Sequence, residues 1–120
     1  MSLFINHTNH PSANWTLEQR QGAAAYGTIK DLPFPDIPPN SDVQQIKEYI
    51  QESANKILAL NPAAVLCQGE FTYTYGLVKL LKEHGITVLA ACSERVTHED
   101  VRDNISRKIS NFRFVKFREY

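Results

Sequence analysis

The chain has 120 residues, of which 42% are hydrophobic and 22% charged, and its thirteen basic and thirteen acidic side chains cancel. A chain of this length builds one hydrophobic core. Its balanced charge argues against a general attraction to nucleic acid or to a membrane. No apolar run approaches the roughly 20 residues that a membrane-spanning helix needs. We therefore expect one domain over residues 1–120, with no membrane contact and no long nucleic acid as a partner.

Both cysteines, Cys67 and Cys92, lie within apolar runs. Buried free thiols are typical of such positions, and free thiols persist in a reducing compartment. We therefore expect a cytoplasmic protein.

The first third of the chain predicts two strands joined by a helix. Residues 3–5 are apolar and β-prone, and they stop at a polar loop. Thr16 and Gln19 have the spacing of a capping box, and Gly27 is in the usual position for ending the helix. Residues 28–34 predict a second strand, which we place at the edge of a sheet because proline cannot donate a ladder hydrogen bond.

The middle of the chain repeats this alternation. Ser41 or Asp42 caps an amphipathic helix of about sixteen residues that ends at Asn61. A strand, a helix and a second fully apolar strand are then predicted over residues 63–67, 71–84 and 86–91. The order implies right-handed crossovers and a mostly parallel sheet.

The last quarter of the chain has a different pattern. Residues 112–118 alternate between apolar and basic side chains, which predicts a strand. Residues 96–110 fit either the first arm of a hairpin or a short helix around residues 100–108, and we favour the hairpin. The expected fold is an α/β, Rossmann-like three-layer domain. Its sheet is mostly parallel with about five strands, and it ends in a C-terminal antiparallel strand or hairpin.

Ligands of open parallel α/β sheets bind beyond the carboxyl ends of the strands. Three polar segments are predicted there, and they are residues 6–15, 68–74 and 93–95. If neighbouring strands carry them, all three share one edge of the sheet, and the second is the most informative.

In this second segment, Gly69 permits a tight turn or the close approach of a ligand. The following helix start can bind an anion, Thr72 and Thr74 add hydroxyl donors, and Tyr73 can stack on a base. Glu70 leaves two alternatives. Its carboxylate either caps the helix and leaves N–H groups free for phosphate, or it occupies the anion site itself and the ligand is something uncharged. The plainer interpretation is a tight turn with a charged first helical turn and no ligand.

Two side chains are candidates for a chemical role. His10 can act as a general base or a phosphate donor, and Arg95 can hold a phosphate through two hydrogen bonds. Arg95 can equally pair with Glu94 or Glu99. His7 and His10 have a spacing that some metal sites use, but no acidic or cysteine cluster completes a coordination shell. We expect no metal and no cofactor.

Several segments together resemble a known group of proteins. They are Asn9-His10-Pro11-Ser12 with Trp15, Phe34-Pro35, Val65-Leu66-Cys67-Gln68-Gly69-Glu70-Phe71-Thr72, Ala91-Cys92-Ser93-Glu94-Arg95 and Phe114-Val115-Lys116-Phe117-Arg118-Glu119-Tyr120. Nearly the whole chain resembles a group of small uncharacterised bacterial proteins, some of them labelled CRISPR-associated. Their architecture is similar to the CRISPR-associated Rossmann fold (CARF) and to stand-alone ring nucleases.

The resemblance implies a homodimer that binds a cyclic oligoadenylate, or another nucleotide, across its two-fold axis, with or without cleaving it. Cleavage would need no metal. In this interpretation the catalytic candidates are His10 and Arg95. The ligand-binding candidates are Asn9, Ser12, Gln68, Gly69, Glu70, Thr72, Tyr73, Thr74 and Ser93.

Two other classes of function remain open from the sequence. One is a non-catalytic interaction module of a defence locus. The other is an enzyme acting on a small nucleotide or sugar at the same edge of the sheet.

Overall fold

Four parallel strands and three α-helices alternate along most of the chain in the computed structural model, which describes residues 2–120. The elements are β1 Leu3–His7, α1 Leu17–Ala24, β2 Thr28–Asp31, α2 Val43–Leu60, β3 Ala64–Cys67, α3 Phe71–Glu83, β4 Val88–Arg102 and β5 Ile105–Glu119. A short 3-10 turn over Ser12–Asn14 precedes α1. The strands form one mixed sheet in the order β2-β1-β3-β4-β5, in which only β4 and β5 are antiparallel. The expected α/β fold with a C-terminal hairpin is confirmed.

Local side-chain chemistry explains where the helices begin and end. The Thr16 hydroxyl accepts the Gln19 N–H at 3.3 Å, so the predicted cap of α1 is present. Asp42, rather than Ser41, caps α2 through a reciprocal pair of 2.8 Å hydrogen bonds with Gln45. Asn61 ends α2 in the left-handed conformation. α2 has eighteen residues, two more than the length predicted from its period.

Two predicted strand ends are wrong. β2 ends at Asp31 and not at residue 34, since Pro33 and Pro35 break the ladder. β4 does not end at residue 91. It continues to Arg102 because β5 pairs with it along its whole length.

Side chains of the central strands alternate between two hydrophobic clusters on the two faces of the sheet. One face carries Ile5, Val65, Cys67 and Val88, which pack against α2 and α3. The other face carries Phe4, Ala64, Leu66 and Leu89, which pack with Trp15 and with Ala23 of α1. No helix within residues 2–120 is long and apolar enough to cross a membrane.

Beyond the end of β3, the β4–β5 hairpin projects as a two-stranded ribbon, which we call the arm (residues 93–102 and 105–114). Asp103 and Asn104 form its turn with φ values of 50° and 60°. Two left-handed residues give the turn a twist that matches that of the flanking strands. The predicted hairpin over residues 96–110 is confirmed, and the alternative helix is wrong.

A bulge at the base of the arm sets which side chains share a face. Cys92 pairs with Lys116 and Ser93 with Phe114, so Val115 is the extra residue. As a result Phe114 and Phe117 both turn toward the α1 side, although three positions separate them. The alternation predicted for residues 112–118 is therefore interrupted once.

Candidate functional site

A pocket of about 560 Å³ lies at the carboxyl edge of the sheet, between the loop after β1, the turn after β3 and the base of the arm. Five of the site residues predicted from sequence line it, and they are Asn9, His10, Gln68, Gly69 and Ser93. They come from all three predicted segments. We call this cavity the loop pocket.

Hydrogen bonds from buried groups hold the loop after β1 in place. The His10 carbonyl oxygen accepts the amide of Asn6 at 2.9 Å and the indole N–H of Trp15 at 3.1 Å. The Asn6 amide also donates to Asp31 at 3.0 Å, and the Thr8 hydroxyl donates to Asn6 at 2.8 Å. The backbone at His10 is thus fixed while its imidazole stays exposed at the pocket. Asn6 and Asp31 were not singled out from sequence, because only the pairing of β1 with β2 brings them together.

Gln68 links the end of β3 to β4 through its side chain. Its Oε1 accepts the Ala91 N–H at 3.0 Å, and its Nε2 donates to the Ala91 carbonyl at 3.5 Å. The side-chain amide of Gln68 therefore makes the hydrogen bonds to β4 that a further residue of β3 would make through its backbone. The main chain can then leave the sheet at this point, beneath the pocket. Gly69 follows at once. A Cβ atom there would lie 2.3 Å from the ring of Phe34, so the close neighbour that requires glycine is a side chain of the protein itself.

Aromatic rings form the outer part of the loop pocket. Trp15, Phe112 and Phe114 line it. The Arg95 guanidinium lies 5.9 Å from the centre of the Phe112 ring, at the rim. Arg95 does not pair with Glu94, which instead contacts Arg113 at 3.4 Å. Ser93 and Arg95 lie within β4 and not after its end, but β3 has already stopped beside them and their edge is open.

Glu70 occupies the start of α3. Its carboxylate accepts the N–H groups of Thr72 and Tyr73, the latter at 3.1 Å, and the Thr72 hydroxyl at 2.5 and 2.7 Å. The Thr72 hydroxyl and the two backbone N–H groups lower the pKa of Glu70. Of the two alternatives for Glu70, the structure favours a carboxylate that fills the anion site itself. The predicted phosphate cradle at this helix start is not free.

The other predicted ligand contacts lie outside the loop pocket. Tyr73 is fully buried, so it cannot stack on a base. Thr74 is buried, and burial raises the thiol pKa of Cys67 to about 12. Thr72 is bonded to Glu70, and the backbone N–H of Ser12 donates to Asp31 at 3.2 Å, away from the cavity.

A buried histidine and tyrosine pair, not recognised from sequence, lies beneath the site. His7 Nδ1 donates to the Leu32 carbonyl at 2.9 Å, so its Nε2 accepts the Tyr73 hydroxyl at 2.7 Å. Burial lowers the pKa of His7 and raises that of Tyr73. The pair contacts Phe34 and supports the ring that covers Gly69.

A larger and more apolar cavity of about 910 Å³ runs along the outer flank of α3, and we call it the α3 groove. Phe71, Tyr75 and Val78 line one side of it, and Tyr120 lines the other. The Tyr120 hydroxyl donates to the Cys67 carbonyl at 2.6 Å, which fixes that wall. Apart from Gln68, Gly69 and Thr74, the groove holds none of the predicted site residues. Within residues 2–120, no group of three or more His, Cys, Asp or Glu side chains could hold a metal ion.

Comparison with known proteins places the chain in a family. A family model described as "Uncharacterized protein MJ1673 family" matches residues 2–118. The chain belongs to this family. The match spans the strands and helices described above, apart from the last residue of β5, and it includes the loop pocket and the arm. No curated protein and no solved structure matches the chain.

Proposed function

We propose that the chain is a cytoplasmic, CARF-like protein of Rossmann-like three-layer architecture that binds a cyclic oligoadenylate in the loop pocket as a homodimer. The observation that supports this proposal is the composition of the pocket. It combines an imidazole, amides, a hydroxyl and aromatic rings from three separate segments at the carboxyl edge of the sheet. Two hydrophobic clusters, one on each face of the sheet, support the three-layer architecture.

The pocket offers a partner for each part of an adenine nucleotide. Phe112, which is 75% exposed, provides a ring face on which a base can stack, and Phe114 lies beside it in the lining. The Asn9 amide can pair with the hydrogen-bonding edge of adenine. His10 and Arg95 provide donors for a phosphate, a role that the start of α3 cannot fill because Glu70 occupies it.

In the catalytic form of this proposal, a ribose 2′-hydroxyl of the ligand attacks the adjacent phosphorus. The new O–P bond gives a 2′,3′-cyclic phosphate, and the bond to the 5′-oxygen breaks. His10 takes the proton of the 2′-hydroxyl, Arg95 stabilises the charge on the phosphate, and the leaving 5′-oxygen takes a proton from solvent water, to which His10 later returns its own. No metal ion and no co-reactant take part.

The test is to mix the protein with cyclic tri-, tetra- and hexa-adenylate, with EDTA present. Calorimetry measures binding, and chromatography detects linear products. We expect wild-type binding, and about tenfold or greater weakening in His10→Ala and Arg95→Ala, because each loses a charge-assisted hydrogen bond. Lys108→Ala is the matched control, since Lys108 is a basic residue on the same face of the arm as Arg95 but nearer the tip. Its affinity should equal that of the wild type.

Absence of binding by all three ligands would overturn the proposal. Equal weakening in Lys108→Ala would show that only net charge matters, and it would remove the assigned role of Arg95. Binding without linear products would leave the ligand assignment standing and exclude cleavage.

The α3 groove favours a second candidate function, a non-catalytic interaction module. Phe71 and Tyr75 are 89% and 72% exposed there, which is unusual for large apolar side chains on one helix flank. The same calorimetry separates the two candidates, because an interaction module binds none of the cyclic nucleotides.

A further inference from the structure

One side of the sheet is left open at β4 and β5. Along β4, Val88 packs beneath α3, and residues 94, 96, 98, 100 and 102 of the arm point to the same side because strand side chains alternate. In a longer parallel sheet a crossover helix would cover this side. Here the chain turns back after β4 and forms the arm instead. We call the surface made of this side of the arm and the α3 groove the open face.

The open face is rich in exposed apolar side chains. Val96 and Ile105 lie exposed on its arm, and Ile109, which pairs with His98, lies half-buried on the same side. Phe71 and Tyr75 lie on its helical flank. A two-stranded ribbon with no third strand or helix against it is marginally stable in water, so the arm needs a covering layer.

The accessible surface of this chain is larger than is typical of a folded monomer of the same mass. Its accessible surface is 8170 Å², whereas a folded monomer of 13.7 kDa is expected to expose about 6,600 Å². Its radius of gyration is 17.0 Å, against about 13.6 Å expected for 120 residues. The excess of about 1,600 Å² equals what each subunit of a permanent homodimer typically buries.

Charge on the open face indicates which partner covers it. Glu94 and Asp100 lie on β4 together with Arg102, and Arg107 and Arg113 lie on β5 opposite Asp100 and Glu94. A two-fold axis along the arm places β4 of one copy over β5 of the other, so acidic side chains face basic ones.

We propose that a second copy of this chain docks on the open face, so that the two arms and the two α3 flanks form the core of a homodimer. This inference deepens the homodimer of the proposed function, and it rests on surface area and charge rather than on the ligand. The loop pocket lies on the opposite, α1 side of the arm, where Ser93 and Phe114 point. Both pockets therefore stay open in this dimer. Each subunit then binds its own ligand, in contrast to the single ligand across the two-fold axis that the resemblance implies.

The test is the mass of the full chain in solution, measured by sedimentation equilibrium. The wild type is compared with variants that place a carboxylate either on the open face or on the opposite face of the arm. Ile105→Glu and Tyr75→Glu alter the open face at positions that are 59% and 72% exposed. Val101→Glu is the matched control, because Val101 is 66% exposed on the opposite face of the same arm. Circular dichroism confirms that each variant folds.

We expect the wild type and Val101→Glu to sediment at twice 13.7 kDa. The two open-face variants should associate at least about thirtyfold more weakly, because each places a charged carboxylate where the interface would bury an apolar side chain. A monomeric wild type, or equal weakening by Val101→Glu, would overturn the interface. Calorimetry on the same samples keeps the two proposals apart. A dimer that binds no cyclic oligoadenylate overturns the ligand assignment alone, and a monomer that binds one overturns the homodimer and leaves the ligand assignment standing.

Discussion

The buried pair formed by His7 and Tyr73 makes a sharp prediction about stability. Tyr73→Phe removes the hydroxyl that donates to His7 Nε2 at 2.7 Å, while the ring remains in place. His7 cannot recruit another partner by changing its tautomer, because its Nδ1 must keep the proton that it donates to Leu32. A buried acceptor left without a donor costs about 1–3 kcal/mol. For a domain of this size, that corresponds to a fall in Tm of roughly 4–12 °C.

The assay is thermal and urea unfolding at neutral pH, with Tyr26→Phe as the matched control. Tyr26 is 37% exposed and keeps the contact of its ring with Phe4 when the hydroxyl is removed, so its variant should change the free energy of unfolding by less than about 0.5 kcal/mol. The double variant His7→Phe/Tyr73→Phe should lose less stability than the two single variants added together. If Tyr73→Phe and Tyr26→Phe lose the same small amount, the hydrogen bond does not support the fold and the reasoning is refuted.

Two further predictions follow from groups near the same loop. Burial lowers the pKa of His7, so just below pH ~6.5 the unfolded state binds a proton more readily than the folded state. The free energy of unfolding should therefore rise with pH through that interval and level off above it. Urea titrations at about pH 5, 6 and 7.5 measure this, and a stability that falls as pH rises would contradict it. Gly69→Ala should destabilise the protein by about 1–3 kcal/mol, because the new methyl group meets the Phe34 ring; Phe34→Leu in the same chain should restore part of the loss, and a double variant with no recovery would point to a different cause.

The sequence predicts the order and type of the elements because their signals are local. Caps at Thr16 and Asp42 mark the helix starts, and apolar runs mark the central strands. The edge of the sheet that carries the loop pocket also follows from sequence, since parallel strands bring their carboxyl ends together. Asn9, His10 and Ser93 were identified in this way.

The rest depends on contacts between distant residues. His7 and Tyr73 are 66 positions apart, and only the packing of α3 on β1 places them together. Phe34 follows an irregular proline-rich segment, so its position over Gly69 cannot be read from a periodic pattern. The length of β4 was missed because residues 96–110 carry few apolar side chains, and cross-strand pairing rather than burial defines them.

The bulge at Val115 lies at the base of the arm, which contributes to both the loop pocket and the open face. A bulged strand bends and twists more strongly than a regular one, so this single residue aims the whole arm relative to the sheet. The arm carries side chains of both surfaces beyond this point, with Phe112 and Phe114 on one side and Ile105 and Ile109 on the other. A change that straightens the ladder there would tilt the wall of the loop pocket and the open face together. Alterations to the base of the arm should therefore affect ligand affinity and self-association jointly.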